Sequence, residues 1–214
     1  MKGIFITGTD TGVGKTFFTA LLTKALRDQG IPALPLKPIS CGDREDALRL
    51  SEAANGAISP IEINPIHFAA PLSPYAASIL EVRPFPRAIL SERMRKLASN
   101  YSGPFLVEGV GGWRVPFDQS GGVREWAQEL AMPVLLVVRA TLGTLNHTLL
   151  TVDSIRQAKL PLLGIILNLH QAPDDLATRT NPALLEELTG LPLLQLSASL
   201  PQLPSPLPAW LVPS

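Results

Sequence analysis

The sequence predicts an α/β fold, a doubly wound and mostly parallel sheet with helices on both faces, on three observations. Its apolar runs do not alternate with polar residues, stretches of helical spacing separate them, and the first run leads into the glycine-rich segment GTDTGVGKT at 8–16. A strand that is apolar on both faces belongs inside a parallel sheet covered on each side. Regular alternation of such strands with helices is the pattern of a doubly wound domain.

Taken in order, IFIT (4–7), ALPLKPI (33–39), FLVEG (105–109), VLLVV (134–138), GIILN (164–168) and LPLLQLS (191–197) read as the strands. Helical spacing covers 15–28, 44–54, 86–98, 123–131, 145–158 and 183–189, and SPYAASILE at 73–81 reads as a further short helix. The stretch 59–86 carries six prolines and no clear period, while five prolines in the last 14 residues exclude a regular helix there.

At 214 residues the chain reads as one domain, 1–214. Lysine plus arginine balance aspartate plus glutamate at 18 each, and only 17% of residues are charged, which leaves no electrostatic footprint for nucleic acid or a membrane. Small molecules are therefore the expected ligands. The single cysteine, Cys41, excludes an internal disulfide, and no signal-peptide pattern or long apolar run is present, so the cytoplasm is the expected compartment. Three scattered histidines, His67, His147 and His170, give no zinc spacing, and any metal is expected to be held by oxygen.

In GTDTGVGKT the glycines Gly8, Gly12 and Gly14 let backbone N–H groups turn inward at a helix N-terminus, forming a nest for phosphate oxygens. Lys15 supplies a cation and Thr16 a hydroxyl for Mg²⁺. The spacing departs from GxxxxGK[ST], because five residues separate Gly8 from Gly14. Nucleoside triphosphate binding on a P-loop-type sheet follows. Such a loop also needs carboxylates for its metal, and the C-terminal ends of the strands are where this fold puts them. Glu108 ends one strand and is followed by Gly111 and Gly112; Lys37 ends another before Pro38; Asp46 opens the next helix. Each taken singly is equally an ordinary solvated or edge residue. Together they offer two cations and two anions around one triphosphate.

These segments carry a resemblance. GTDTGVGKT, KPISCG (37–42), VEGVGGW (107–113), VVRATLGTLNHTLLT (137–151) and ILN (166–168), in this order, resemble the dethiobiotin synthetase family over residues 2 to 170. The resemblance implies an ATP-dependent ring closure of 7,8-diaminopelargonate with CO₂, through a carbamate and a mixed carbamic-phosphoric anhydride, to dethiobiotin, ADP and phosphate. It implies Lys15 and Lys37 as catalytic cations, Mg²⁺ on Thr16, Asp46 and Glu108, and substrate contacts from Thr11, Lys37, Cys41, Gly143, Thr144 and Asn146. Nucleotide contacts are implied at residues 12–17, Asp46, Glu108, Gly111 and Asn168, and at Ala198, Ser199 and Leu200. It also implies a homodimer whose sites are completed across the interface. His147 and Trp113 are expected to be structural. The family places a hydroxyl residue before Gly42, where this chain has Cys41.

Two other readings stay open on the motif alone. A nucleotide-switch ATPase of the partitioning kind carries a lysine after the first glycine of the loop, where Thr9 stands. An amidotransferring ligase acting on a larger acid carries a glutaminase domain, for which 214 residues leave no room.

Overall fold

The computed structural model describes residues 2–170, 172–197 and 202–213. In chain order the elements are β1 (Gly3–Gly8), α1 (Lys15–Asp28), β2 (Leu34–Leu36), β3 (Ile39–Cys41), α2 (Glu45–Ala53), α3 (Pro60–Ile63), β4 (Ile66–Phe68), α4 (Pro74–Leu80) and α5 (Arg87–Ala98). They continue with β5 (Phe105–Glu108), β6 (Pro116–Asp118), β7 (Gly121–Gly122), α6 (Val123–Leu130), β8 (Val134–Arg139), α7 (Thr144–Gln157), β9 (Leu162–Asn168), α8 (Leu176–Thr189), β10 (Leu193–Leu196) and a 3-10 turn, Ala209–Leu211.

Six strands form the central sheet in the order β10-β9-β8-β1-β5-β2, and every pairing in it is parallel. All six residues of β1 are buried, as a strand covered on both faces requires. Alternate residues point to opposite sides. Phe5 packs edge-on against Trp126 of α6, 5.4 Å between ring centroids, while Ile4 and Ile6 join Phe18, Leu22 and Leu26 of α1. Val152 and Ile155 of α7 and Leu90 and Met94 of α5 add to the Phe5 side. The prolines of the tail give no regular helix, but Leu207 and Leu211 pack on the α1 side, and Trp210 lies so close to Gly164 that a Cβ there would meet its ring at 2.7 Å.

The segment 33–39 is not one strand. Pro38 has no N–H to give to a ladder, and Lys37 N–H turns away to Ile63 O at 3.1 Å, so the main-sheet strand ends at Leu36. The chain then starts a second, two-stranded parallel ribbon, with Ser40 opposite His67. This detour carries residues 39–42 over the C-terminal edge of the sheet. A third small ribbon pairs β6 with β7. The helix read at 183–189 begins earlier, at Leu176, because Asp175 caps it by accepting from Thr178 N–H at 2.8 Å; Pro182 lies inside the helix. Among the described residues no helix is long and apolar enough to cross a membrane.

Candidate functional site

The loop after β1 wraps the N-terminus of α1. Gly12 (φ +73°) and Gly14 (φ +98°) both adopt left-handed backbone, which favours glycine. A Cβ on Gly12 would meet nothing within 4 Å, so its outer face is open, whereas one on Gly14 would lie 2.2 Å from Asn168 Nδ2. No side chain caps α1 among the described residues, leaving its first N–H groups for an anion. Val13 is buried behind the loop, and Phe17 stands on its rim, 43% exposed and stacked on His170 with ring centroids 6.4 Å apart.

A cleft of about 690 Å³ opens in front of this loop, lined among others by Thr11, Lys15, Thr16, Cys41, Asp46 and Gly111. Lys37 and Glu108 project into it from the ends of β2 and β5, which are hydrogen-bonded neighbours in the sheet. Lys37 Nζ lies 3.0 Å from Glu108 Oε1 and is also paired with Asp46 Oδ2. Thr16 Oγ1 donates to Glu108 Oε1 at 2.8 Å and accepts from Lys37 Nζ at 3.3 Å. Glu108 is fully buried, and its second oxygen, Oε2, has no hydrogen-bond partner among the described residues.

Burial pulls the Lys37 ammonium down, but Glu108 and Asp46 outweigh it and hold the group above the ordinary lysine range. Lys15 differs. Burial lowers it to about 8, with Glu108 opposing and Lys37 adding to the fall; its Nζ rests on Asp10 O at 3.0 Å, within the loop itself. A triphosphate would therefore meet one firmly charged lysine and one whose charge depends on anionic company.

The same cluster fits Mg²⁺. A hydroxyl, a half-exposed carboxylate and a buried carboxylate with one free oxygen are hard ligands of the kind that ion takes, alongside water and phosphate oxygens. No group of three or more His, Cys, Asp or Glu that could hold a metal occurs among the described residues, so water and phosphate oxygens would supply the remaining ligands.

The other expected site residues fall into distinct places. Cys41 is half-buried in the cleft wall, and burial, helped by Glu81 and opposed by Lys37, pushes its thiol up to about 11. Asn168 sits behind the loop: Nδ2 donates to Val13 O at 3.0 Å and Oδ1 accepts from His170 N–H at 3.0 Å, fastening the phosphate loop to the end of β9. Gly143, Thr144 and Asn146 open α7, beyond β8, and do not line the cleft; Asn146 is exposed and Thr144 buried, its hydroxyl bonded to Arg139 O. Trp113 is buried, its Nε1 donating to Ser154 Oγ at 3.1 Å, whereas His147 is exposed. Ala198, Ser199 and Leu200 lie outside the described residues.

Asn64 escaped the sequence reading. Its Nδ2 donates to Lys37 O at 2.8 Å and its Oδ1 accepts from Ser40 Oγ at 2.9 Å, so it pins both ends of the 37–40 segment. His67 adds a 2.6 Å contact from Nε2 to Gly42 O; because a carbonyl only accepts, that nitrogen carries a proton. The turn residues before β4 gave no signal of this, since their partners lie 27 and 24 positions away.

Known proteins share this arrangement of sequence. The pattern of a family described as an AAA domain matches residues 2–207. The ATP-dependent dethiobiotin synthetase of Anaeromyxobacter dehalogenans strain 2CP-C is 43% identical over 88% of this chain and 86% of its own. That of Aquifex aeolicus is 41% identical over 88% and 85%, and that of Akkermansia muciniphila 38% identical over 91% of each. Among solved structures, a ParA family ATPase from Chlorobium tepidum superposes with a TM-score of 0.54 at 17% identity, covering 91% of this chain and 84% of that one. Cell division protein FtsY from Thermotoga maritima gives 0.53 at 17%, covering 90% of this chain and 60% of that one. At that identity these two speak for the fold alone, a P-loop-type α/β sheet.

Proposed function

We propose that this chain, which belongs to the family of ATP-dependent dethiobiotin synthetases, closes the ureido ring of dethiobiotin from 7,8-diaminopelargonate and CO₂ at the cleft between the phosphate loop and residues 37–46. It is an ATP-dependent ligase that forms carbon–nitrogen bonds, with ATP as co-substrate. The observation that carries the reading is the meeting of Lys37, Thr16, Asp46 and Glu108 in front of a phosphate loop, in a chain at least 38% identical to the three relatives named above.

One neutral amine of the diamine adds to CO₂ and loses a proton, giving a carbamate. A carbamate oxygen then attacks the γ-phosphorus of ATP, the bond to the β-phosphate oxygen breaks, and ADP leaves. In the resulting carbamic-phosphoric anhydride the second amine attacks the carbonyl carbon, expels inorganic phosphate and loses its proton, closing the ring. Two anions must meet in the second step, and Lys37 and Lys15 are the cations available to both of them. Charges fixed in place before reaction act this way without reorganisation cost. Mg²⁺ on Thr16, Asp46 and Glu108 would neutralise charge on the triphosphate. Thr11 and Cys41 would line the diamine side of the cleft, and Gly12, residues 14–17 and Gly111 the nucleotide side, with Val13 and Asn168 behind the loop and acting through it.

The chain is read as a single P-loop domain working in the cytoplasm as a homodimer. Support for the dimer comes from α7. Its N-terminus has no side-chain cap among the described residues, Asn146 is exposed, and two leucines, Leu142 in the turn before the helix (85% exposed) and Leu150 on it (63%), stand out in solvent. Gly143 and Asn146 would then offer backbone N–H and amide donors to the substrate carboxylate in the partner's cleft, while Thr144 would hold the turn, its N–H donating to Thr141 O at 3.1 Å and its hydroxyl to Arg139 O.

The test is ADP release with Mg²⁺, ATP and bicarbonate, with and without 7,8-diaminopelargonate, alongside the product mass. The reading requires turnover that depends on the diamine and one cyclic urea per ADP. Equal slow hydrolysis in both arms, with no cyclic urea, would overturn it.

A further inference from the structure

A buried carboxylate that stays ionised needs a counter-ion. Glu108 is fully buried, and leaving such a charge unpaired is strongly destabilising. Its partner here is Lys37, whose Nζ stands 3.0 Å from Glu108 Oε1, 3.3 Å from Thr16 Oγ1 and against Asp46 Oδ2. The ammonium is therefore surrounded by the three side chains assigned above to Mg²⁺. One cationic position and two candidate cations cannot coexist there without one of them moving.

We infer that Lys37 is the resident cation of the metal position: it neutralises Asp46 and Glu108 in the nucleotide-free protein, keeps free Mg²⁺ out, and transfers to phosphoryl oxygens when Mg²⁺ arrives with the triphosphate. The inference rests on reading Thr16, Asp46 and Glu108 as metal ligands. Its physical basis is an exchange of charges. Mg²⁺ alone would have to drive an ammonium off two carboxylates into a cleft whose other carboxylates, Asp43 and Glu45, are solvent-exposed, Glu45 being already paired with Arg49. A triphosphate entering over Gly12 and Lys15 brings oxygens within the same cleft that can take the ammonium as the metal takes the carboxylates. Metal and nucleotide then favour each other's binding by the same factor. Lys37 meets the γ-phosphoryl group only after the metal is in place, so one exchange both loads the site and positions the catalytic cation. Lys15 cannot play this part, since its Nζ is held on Asp10 O rather than on a carboxylate.

The test is binding of Mn²⁺, as a paramagnetic substitute for Mg²⁺, to nucleotide-free full-length protein, followed by electron paramagnetic resonance. Lys37→Met is expected to bind Mn²⁺ at least tenfold more tightly than the wild type, and Lys15→Met less than threefold. Its melting temperature should also fall in EDTA and recover with Mg²⁺ alone, while the wild type responds to neither. Equal Mn²⁺ affinity in Lys37→Met and wild type, or equal tightening by both lysine variants, would overturn the inference. If Mn²⁺ fails to bind any of the proteins even with ADP, the metal reading itself falls and the inference with it. The wild type gives a readout that needs no variant. The ¹³Cε signal of Lys37 should shift on adding Mg²⁺ with a non-hydrolysable ATP analogue and stay in place with Mg²⁺ alone; the same shift with Mg²⁺ alone would contradict the exchange.

Discussion

Glu108 has no contact with solvent, and its charge is tolerated because Lys37 is 3.0 Å away. Lys37→Ala should consequently do two separable things. Loss of a preorganised cation is expected to lower kcat by about 10²- to 10³-fold in steady-state assays. Breaking a buried pair should cost roughly 3 kcal/mol of unfolding free energy in urea without Mg²⁺. Cys41 gives a pH prediction. With its thiol raised to about 11, it stays protonated where a free cysteine is already ionised. Its alkylation at pH 8 should be slower than that of free cysteine by roughly tenfold or more, since the scarcer thiolate is only partly offset by higher nucleophilicity. The rate should keep climbing to about pH 11; a plateau near pH 9 would contradict the assignment. Lys37 and Glu108 were legible in the sequence because a charged residue at the end of an apolar strand is conspicuous. Their mutual pairing was not, because it depends on β2 lying beside β5, and nothing in either segment encodes that neighbour.

At the scale of elements, the phosphate loop is fastened from behind. Asn168 donates to Val13 O and lies so close to Gly14 that no Cβ fits between them. Gly14→Ala should lose about 2 kcal/mol of stability through its positive φ and the clash. Asn168→Ala should lose about 1 kcal/mol through the missing hydrogen bond. Because the smaller side chain also relieves the clash, the double variant should lose less than the sum when all three are compared by urea unfolding; strict additivity would mean the two residues do not touch. The GTDTGVGKT segment was legible because only a strand-to-helix turn reads that way. The ends of 33–39 and 183–189 were not. Pro38 divides a continuous apolar run between two sheets, and Asp175 starts α8 about two turns before Pro182, although proline is more usual as an opening residue. Three-residue strands such as β3 and β4 are too short to show any period, so the ribbon that carries Cys41 and Gly42 had no signature of its own.

For the molecule as a whole, the parallel sheet followed from strands without alternation, and the packing of β1 on both faces is the physical reason that inference works. The position of the tail did not follow, because prolines exclude a helix without saying what Leu207, Trp210 and Leu211 cover. Assembly belongs to this scale too. Leu150→Asp, on the exposed face of α7 and away from the cleft, is expected to give a monomer in analytical ultracentrifugation and to raise the KM for the diamine, while nucleotide binding is unchanged. A variant that stays dimeric with an unaltered KM would place the contact elsewhere. In the proposed reaction phosphate leaves carrying an oxygen that came from CO₂. A rapid reaction with C¹⁸O₂ in unlabelled water, quenched before the gas exchanges with solvent, tests it directly by mass spectrometry of the released phosphate. One ¹⁸O per phosphate, formed together with dethiobiotin, is the predicted result; phosphate without label, formed alongside the same product, would contradict activation of a carbamate oxygen by phosphoryl transfer.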